Sequence, residues 1–374
     1  MKPYTVSQER FVCQFHHKPF IPYLAFMKHF RFYNKKDILS ISQLRRFETR
    51  IGERIQCLNP DAEWPESLKD SKARYILLGI PEDLGVKGNN GIGGAETAWL
   101  PFLNAFLNAQ SNDYFSGEEI LLLGHFDFGD LKFLIESNAY NQQEKLDAYR
   151  HAVQTIDEEV ENIVKHVASA GKIPIVIGGG SNNAYPLLKA VSKGLFKTGQ
   201  LQLAQINAIH LGAHTGFGAS EGRHSGNAFR YASEDGYLGK LALIGYHENH
   251  VSQGSLFDLG ENPFVQKHSF ETIAIHQRYD IIQAFAQSAE FTSDTCCGIE
   301  LSLDAIQDVL SSFCTPTGIS VTEARQFMHF TSAQTKAAYL HIAEGACQLN
   351  DGRKDETTGK LISYLVMDFV KGGG

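Results

Sequence analysis

The segment Ile173-Pro174-Ile175-Val176-Ile177-Gly178-Gly179-Gly180-Ser181-Asn182-Asn183-Ala184-Tyr185 settles the architecture of the chain. Five apolar residues in a row are too few for a buried helix, and they end in glycines and a polar turn. A short unalternating run of this kind reads as a strand buried on both faces, the pattern of a parallel sheet covered by helices. On either side of it, similar short runs fall at 75–80, 120–123, 208–211, 241–245, 272–275, 298–303 and 338–342. Helical patterns separate several of them. The longest, 147–170, repeats Ala152, Ile156, Val160, Ile163, Val164 and Val167 at spacings that make one apolar stripe. The expectation is a three-layer α/β/α sandwich around a mainly parallel sheet of about eight strands.

In such a sheet, ligands bind beyond the carboxyl ends of the strands, so the residues just after each run carry the chemistry. After the first come Gly79-Ile80-Pro81-Glu82-Asp83 and then Asn89-Asn90-Gly91-Ile92-Gly93-Gly94. The 208–211 run gives His210-Leu211-Gly212-Ala213-His214-Thr215-Gly216, followed by Gly222-Arg223-His224-Ser225-Gly226-Asn227. The 298–303 run gives Glu300-Leu301-Ser302-Leu303-Asp304, and Gly318-Ile319-Ser320-Val321-Thr322-Glu323 opens a helix. The glycines at 178–180 lack the spacing of a dinucleotide-binding turn, and no acidic residue closes a following strand where a ribose would need it.

The rest of the chain sets bounds. With 374 residues, 43% of them hydrophobic, it has ample material for a large core, and its net charge of −8 comes from interspersed charges. That leaves no electrostatic footprint for nucleic acid or anionic membrane. No apolar run is long enough to span a bilayer, and no secretory signal pattern opens the sequence, so a soluble cytoplasmic protein is expected. The six cysteines form no C-x-x-C pair and read as thiols in a reducing compartment. Residues 1–70 differ in composition from the remainder of the chain and read as an N-terminal extension packed on a core domain of 71–374. The extension is rich in aromatics (Phe11, Phe15, Phe20, Tyr23, Phe26, Phe30, Phe32, Tyr33), shows helical spacing over 41–56, and ends in a linker at 59–65.

Taken in order, the strand-end motifs resemble the arginase/agmatinase/formimidoylglutamase (ureohydrolase) superfamily, closest to its formimidoylglutamase-like branch, over roughly residues 75–370. The resemblance implies hydrolysis of a C–N bond in a linear amidine by a hydroxide shared between two Mn²⁺ ions, in trimers or hexamers. The six metal-holding positions of that family fall on Ser181, Gly212, His214, Gly216, Ser302 and Asp304. Only His214 and Asp304 could ligate, and shifting the last motif so that Asp304 pairs with Ile306 changes nothing in that tally. Two ligands are too few for two hard dications, so no metal cofactor is expected, with Mn²⁺ required if the family activity survives. The resemblance also places His224 and Glu323 as catalytic candidates, and Asn182, Arg223, His224, Asn227 and Glu323 around a small amino-acid-like ligand. Plainer readings stand beside these. His214 reads as a hydrogen-bonded wall residue before a metal ligand, Glu323 as an acid favoured by a helix N-terminus, His247 and His250 as surface or subunit-contact residues, and Asp83 and Asn90 as turn formers. Ser181 lies in no nucleophile elbow. The expected protein is a non-catalytic or re-purposed ligand-binding member, the alternative being an active metal-dependent hydrolase of formimidoylglutamate or a relative. Neither nucleic acid nor membrane is an expected partner, and a homo-oligomer is left open.

Overall fold

The computed structural model describes residues 28–373. Among them, nine strands form one sheet: β1 (Phe30–Phe32), β2 (Tyr75–Gly79), β3 (Ile120–Phe126), β4 (Ile173–Ile177), β5 (Ile206–Leu211), β6 (Leu238–Tyr246), β7 (Val265–Ser269), β8 (Cys297–Ser302) and β9 (Ala337–Ala343). Their order across the sheet is β1-β3-β2-β4-β9-β8-β5-β6-β7. Neighbours run parallel except β1, which pairs antiparallel with β3 at one edge.

Alternation explains the covering layers. Side chains of Ile76, Leu78, Val176, Ala208, Leu241 and Leu243 face the helices Gln142–Ser169 and Ala184–Lys197. Leu77, Ile175, Ile177, Ile209, Ile299 and Leu340 face the other layer, built by Trp99–Leu107, Ile281–Phe291, Val321–Gln334 and Thr357–Gly372. Both faces of the central strands are therefore dry, which is why their sequences are continuous apolar runs.

Three expectations are corrected. The run at 272–275 is not a strand; Glu271–Ile275 forms a single π-helical turn, and the strand lies earlier at Val265–Ser269. That strand is at the sheet edge and carries Gln266, Lys267 and His268, so it lacks the apolar run of a central strand. The helix expected over 41–56 exists only as Lys35–Ile41 and Ile51–Arg54. Between them Phe47 takes a left-handed φ of 68° and is 93% exposed, so part of the apparent stripe faces water. The expected linker at 59–65 ends inside a helix, Trp64–Asp70, with Pro65 in its first turn and Trp64 packed against Phe32 and His166. The aromatic residues Phe11, Phe15, Phe20, Tyr23 and Phe26, and Cys13, lie outside the described residues. The other five cysteines are free, and no helix among the described residues is long and apolar enough to cross a membrane.

Candidate functional site

The sheet order brings β4, β9, β8 and β5 side by side at its centre. Their carboxyl ends deliver Ser181, Glu344, Ser302 with Asp304, and the 212–216 loop to one place. Asp304 is the hub. Its Oδ1 accepts the Ala213 N–H at 3.2 Å and its Oδ2 lies 2.8 Å from His214 Nδ1. Burial pushes the Asp304 carboxyl up, but the hydrogen bond and charge of His214 outweigh it and hold the group below its ordinary value. Burial likewise opposes charge on His214, and Asp304 overcomes it and raises the imidazole. The 2.8 Å geometry thus favours the charged pair, with His214 a third exposed and Asp304 buried. The His214 ring is flanked by His250, stacked at 4.6 Å, and by Phe313 at 5.0 Å. His247 is buried and stands 5.1 Å from His250.

Glu344 follows β9. Its Oε1 accepts the Ser181 N–H at 2.7 Å, and its own N–H donates to Gly179 O at 2.9 Å. The residue is buried and has a left-handed φ of 65°, uncommon for any side chain but glycine. Its Oε2 has no hydrogen-bond partner of good geometry, although the Ser312 and Ser181 hydroxyls lie near enough to offset part of the effect of burial. Burial, and then the charge of Asp304, raise this carboxyl to about 7 despite the Ser181 bond. The sequence motifs single out Glu323 rather than Glu344 as a ligand-binding acid. The available signal was the strand-end rule, since Glu344 stands directly after Ala343 at the end of the last apolar run. Glu323 instead closes a capping box with Ser320 at the start of its helix, accepting the Ser320 N–H at 2.7 Å. It lines a separate surface pocket of about 490 Å³ with Phe270, Tyr279 and Asp280.

The other ligand-binding candidates are engaged in holding a loop. Arg223 is buried between the rings of Tyr185 and Tyr231, donates to Asp157 Oδ2 at 2.9 Å and to Asn182 O at 2.9 Å, and reaches Asn227 Oδ1 at 3.1 Å. Burial drives Asp157 up to about 6 against the pull of Arg223. Asn227 Nδ2 donates to Ala219 O and Gly222 O. Asn182 donates to Glu82 Oε1, as do Asn183 and the Gly180 N–H, so Glu82 organises the glycine turn from below. Burial and then Arg150 lower His224 to about 4; its Nδ1 accepts the Gly226 N–H. No hydrogen bond or ring contact among the described residues joins His224 to His214, Asp304 or Glu344. Asp83 is buried and holds Lys132 and Lys87, and Asn90 is a left-handed turn residue.

A family profile described as Arginase family matches residues 73–370. The chain belongs to the arginase family. Solved structures agree on the arginase-family fold. Formimidoylglutamase from Bacillus subtilis superposes with a TM-score of 0.67 at 16% identity, covering 88% of this chain and 93% of its own. Trypanosoma cruzi formiminoglutamase with Mn²⁺ gives 0.64 at 17%, covering 87% and 98%. Arginase from Bacillus cereus gives 0.59 at 16%, covering 80% and 98%. No curated sequence matches the chain.

At the positions where the sequence resemblance implies a manganese pair, few metal-ligating side chains are present. Of the six positions, Ser181 has its backbone on Glu344, Ser302 is neutral, Gly212 and Gly216 have no side chain, and His214 and Asp304 face each other at 2.8 Å. Among the described residues, no group of three or more His, Cys, Asp or Glu side chains is placed to hold a metal ion. One imidazole and one carboxylate already neutralising each other leave little negative charge for two dications.

Proposed function

We propose that this arginase-family chain binds a small amino-acid-like ligand bearing a hydrogen-bond-donating amine, amidine or guanidine group, and that it does so without a manganese pair and without hydrolysis. The observation that carries the reading is Glu344, a buried carboxyl with one oxygen anchored on the glycine turn and the other without a good partner. A buried acceptor left this way costs roughly 1–3 kcal/mol, and a non-glycine residue held left-handed adds strain of order ~1 kcal/mol. Both are tolerated more readily where a ligand completes the site. His214 and Asp304 form the adjoining wall.

The test is direct. Purified protein is loaded with Mn²⁺, its metal content is measured, and hydrolysis of formimidoylglutamate, arginine and agmatine is assayed. The same compounds are then tested for binding by calorimetry. Binding of one of them without stoichiometric metal or turnover supports the proposal, and Glu344→Gln should weaken that binding tenfold or more. Family membership favours a second reading, an active Mn²⁺ hydrolase. About two Mn²⁺ per chain with turnover would establish it and remove the first.

A further inference from the structure

The helix Gly129–Asn138 fully buries none of its residues. One side is held down by Leu131 and Ile135, which pack against the core, and by Lys132, which reaches Asp83 and Glu96. The opposite side carries Asp130, Phe133, Leu134 and Ser137, whose spacings of three and four put them in one stripe. Phe133 is 69% exposed and Leu134 54%. Two large apolar side chains next to each other in water gain by being covered. The place where the chain enters the structure points to what covers them. Lys28 Nζ lies 2.7 Å from Asp130 Oδ2, on that same stripe. The next residue, His29, is buried and pinned. Its Nε2 is 3.0 Å from Asp130 Oδ1, its Nδ1 is 2.6 Å from Glu159 Oε1, and its carbonyl accepts the Asp127 N–H at 2.7 Å. The chain that precedes Lys28 is therefore tethered about one helical turn, ~6 Å, from Leu134.

We propose that this helix face is the seat of the chain's own N-terminal segment, with residues 20–27 lying over Phe133 and Leu134. The residues that directly precede Lys28 are Phe20-Ile21-Pro22-Tyr23-Leu24-Ala25-Phe26-Met27, a run without a single charge or amide side chain. Such a run next to an exposed Phe–Leu pair gives both surfaces something to bury. Reach is ample, since eight residues extend to about 28 Å and Asp130 to Asn138 spans about 12 Å of helix. Charge agrees. Residues 1–27 hold Lys2, Arg10 and Lys18 against Glu9 alone, whereas the whole chain carries −8, so the segment is basic and the body that receives it acidic. The composition of residues 1–70 implies an extension packed on the core, and the Lys28–Asp130 tether names the place. The proposal is independent of any ligand in the cleft.

Hydrogen exchange of the full-length chain, read by mass spectrometry, tests it. In the parent, amides of residues 20–27 should exchange about tenfold or more slowly than in a free peptide of the same sequence. The double variant Phe133→Ser/Leu134→Ser should lose that protection while the central strands keep theirs. The reciprocal variant Leu24→Ser/Phe26→Ser should speed exchange across residues 131–138 by about threefold or more. Free-peptide rates for 20–27 in the parent would overturn the proposal. Protection that survives Phe133→Ser/Leu134→Ser would do the same, since that is the result for a segment seated elsewhere, such as on the open edge of β1. Protection that disappears on dilution, together with a fall in mass by sedimentation, would assign the face to a second copy instead and also overturn it. If the helix variant does not fold, the reciprocal variant decides alone, because its changes lie in the segment itself.

Discussion

At the scale of single residues, the site is governed by which charges are buried together. Glu344 is held up to about 7 by burial and Asp304. A carboxyl whose folded value exceeds its unfolded value destabilises the fold once it ionises. Stability should therefore fall as pH rises from 4.5 to about 7 and stay lower above that. Glu344→Gln should match the parent near pH 4.5 and exceed it at pH 8, by up to about 3 kcal/mol, as read by urea unfolding at each pH. His214, raised by Asp304, adds a loss in the same direction above its ordinary value of 6.5, and this part should persist in the Gln variant. His214→Ala makes the complementary point. It leaves the buried Asp304 carboxylate with the Ala213 N–H but no counter-charge, and should cost roughly 3 kcal/mol at pH 6. A cost below about 1 kcal/mol would mean that water reaches Asp304.

At the scale of elements, the loop 219–227 is fastened by Arg223 to the helix Gln142–Ser169 through Asp157 and to the glycine turn through Asn182. Arg223→Lys keeps the charge but loses the planar fork and the stacking between Tyr185 and Tyr231. It should cost about 2–3 kcal/mol and open the loop to limited proteolysis. In sequence this loop reads as a ligand-binding segment, because Arg and Asn side chains look alike whether they face a ligand or a buried aspartate. What was legible came from period. Central strands and the long helix announce themselves by burying one or both faces, and so did the arrival of Ser181, Ser302, Asp304 and the 212–216 loop at neighbouring strand ends. The edge strand β7 does not, since it is largely polar and only partly buried over its first three residues. The Thr272-Ile273-Ala274-Ile275 run was misleading because its apolar residues lie on a turn, with Ile275 64% exposed.

At the scale of the whole molecule, the ends of β4, β9, β8 and β5 are joined by protein groups: Ser181 to Glu344, Glu344 to Gly179, and Ala213 and His214 to Asp304. Stability should then be indifferent to metal. Tm should change by less than about 1 °C on adding either a chelator or excess Mn²⁺, measured by scanning calorimetry, because only a ligand bound selectively by the folded state shifts the transition.

The same strand order also governs how the protein is made. β9 is the last strand in the sequence, yet it lies in the middle of the sheet, hydrogen-bonded to β4 on one side and β8 on the other. Until a ribosome has released residues 337–343, the sheet can form only as two separate halves, β1-β3-β2-β4 and β8-β5-β6-β7, each with an apolar interior edge unpaired. Those edges are templates for sticking to other chains, and pairing across so long a stretch of sequence is slow. Synthesis is thus the period of greatest exposure to aggregation, and chains arrested shortly before β9 should depend most heavily on chaperones. The cleft itself comes into being only at that final insertion, when Glu344 meets Ser181.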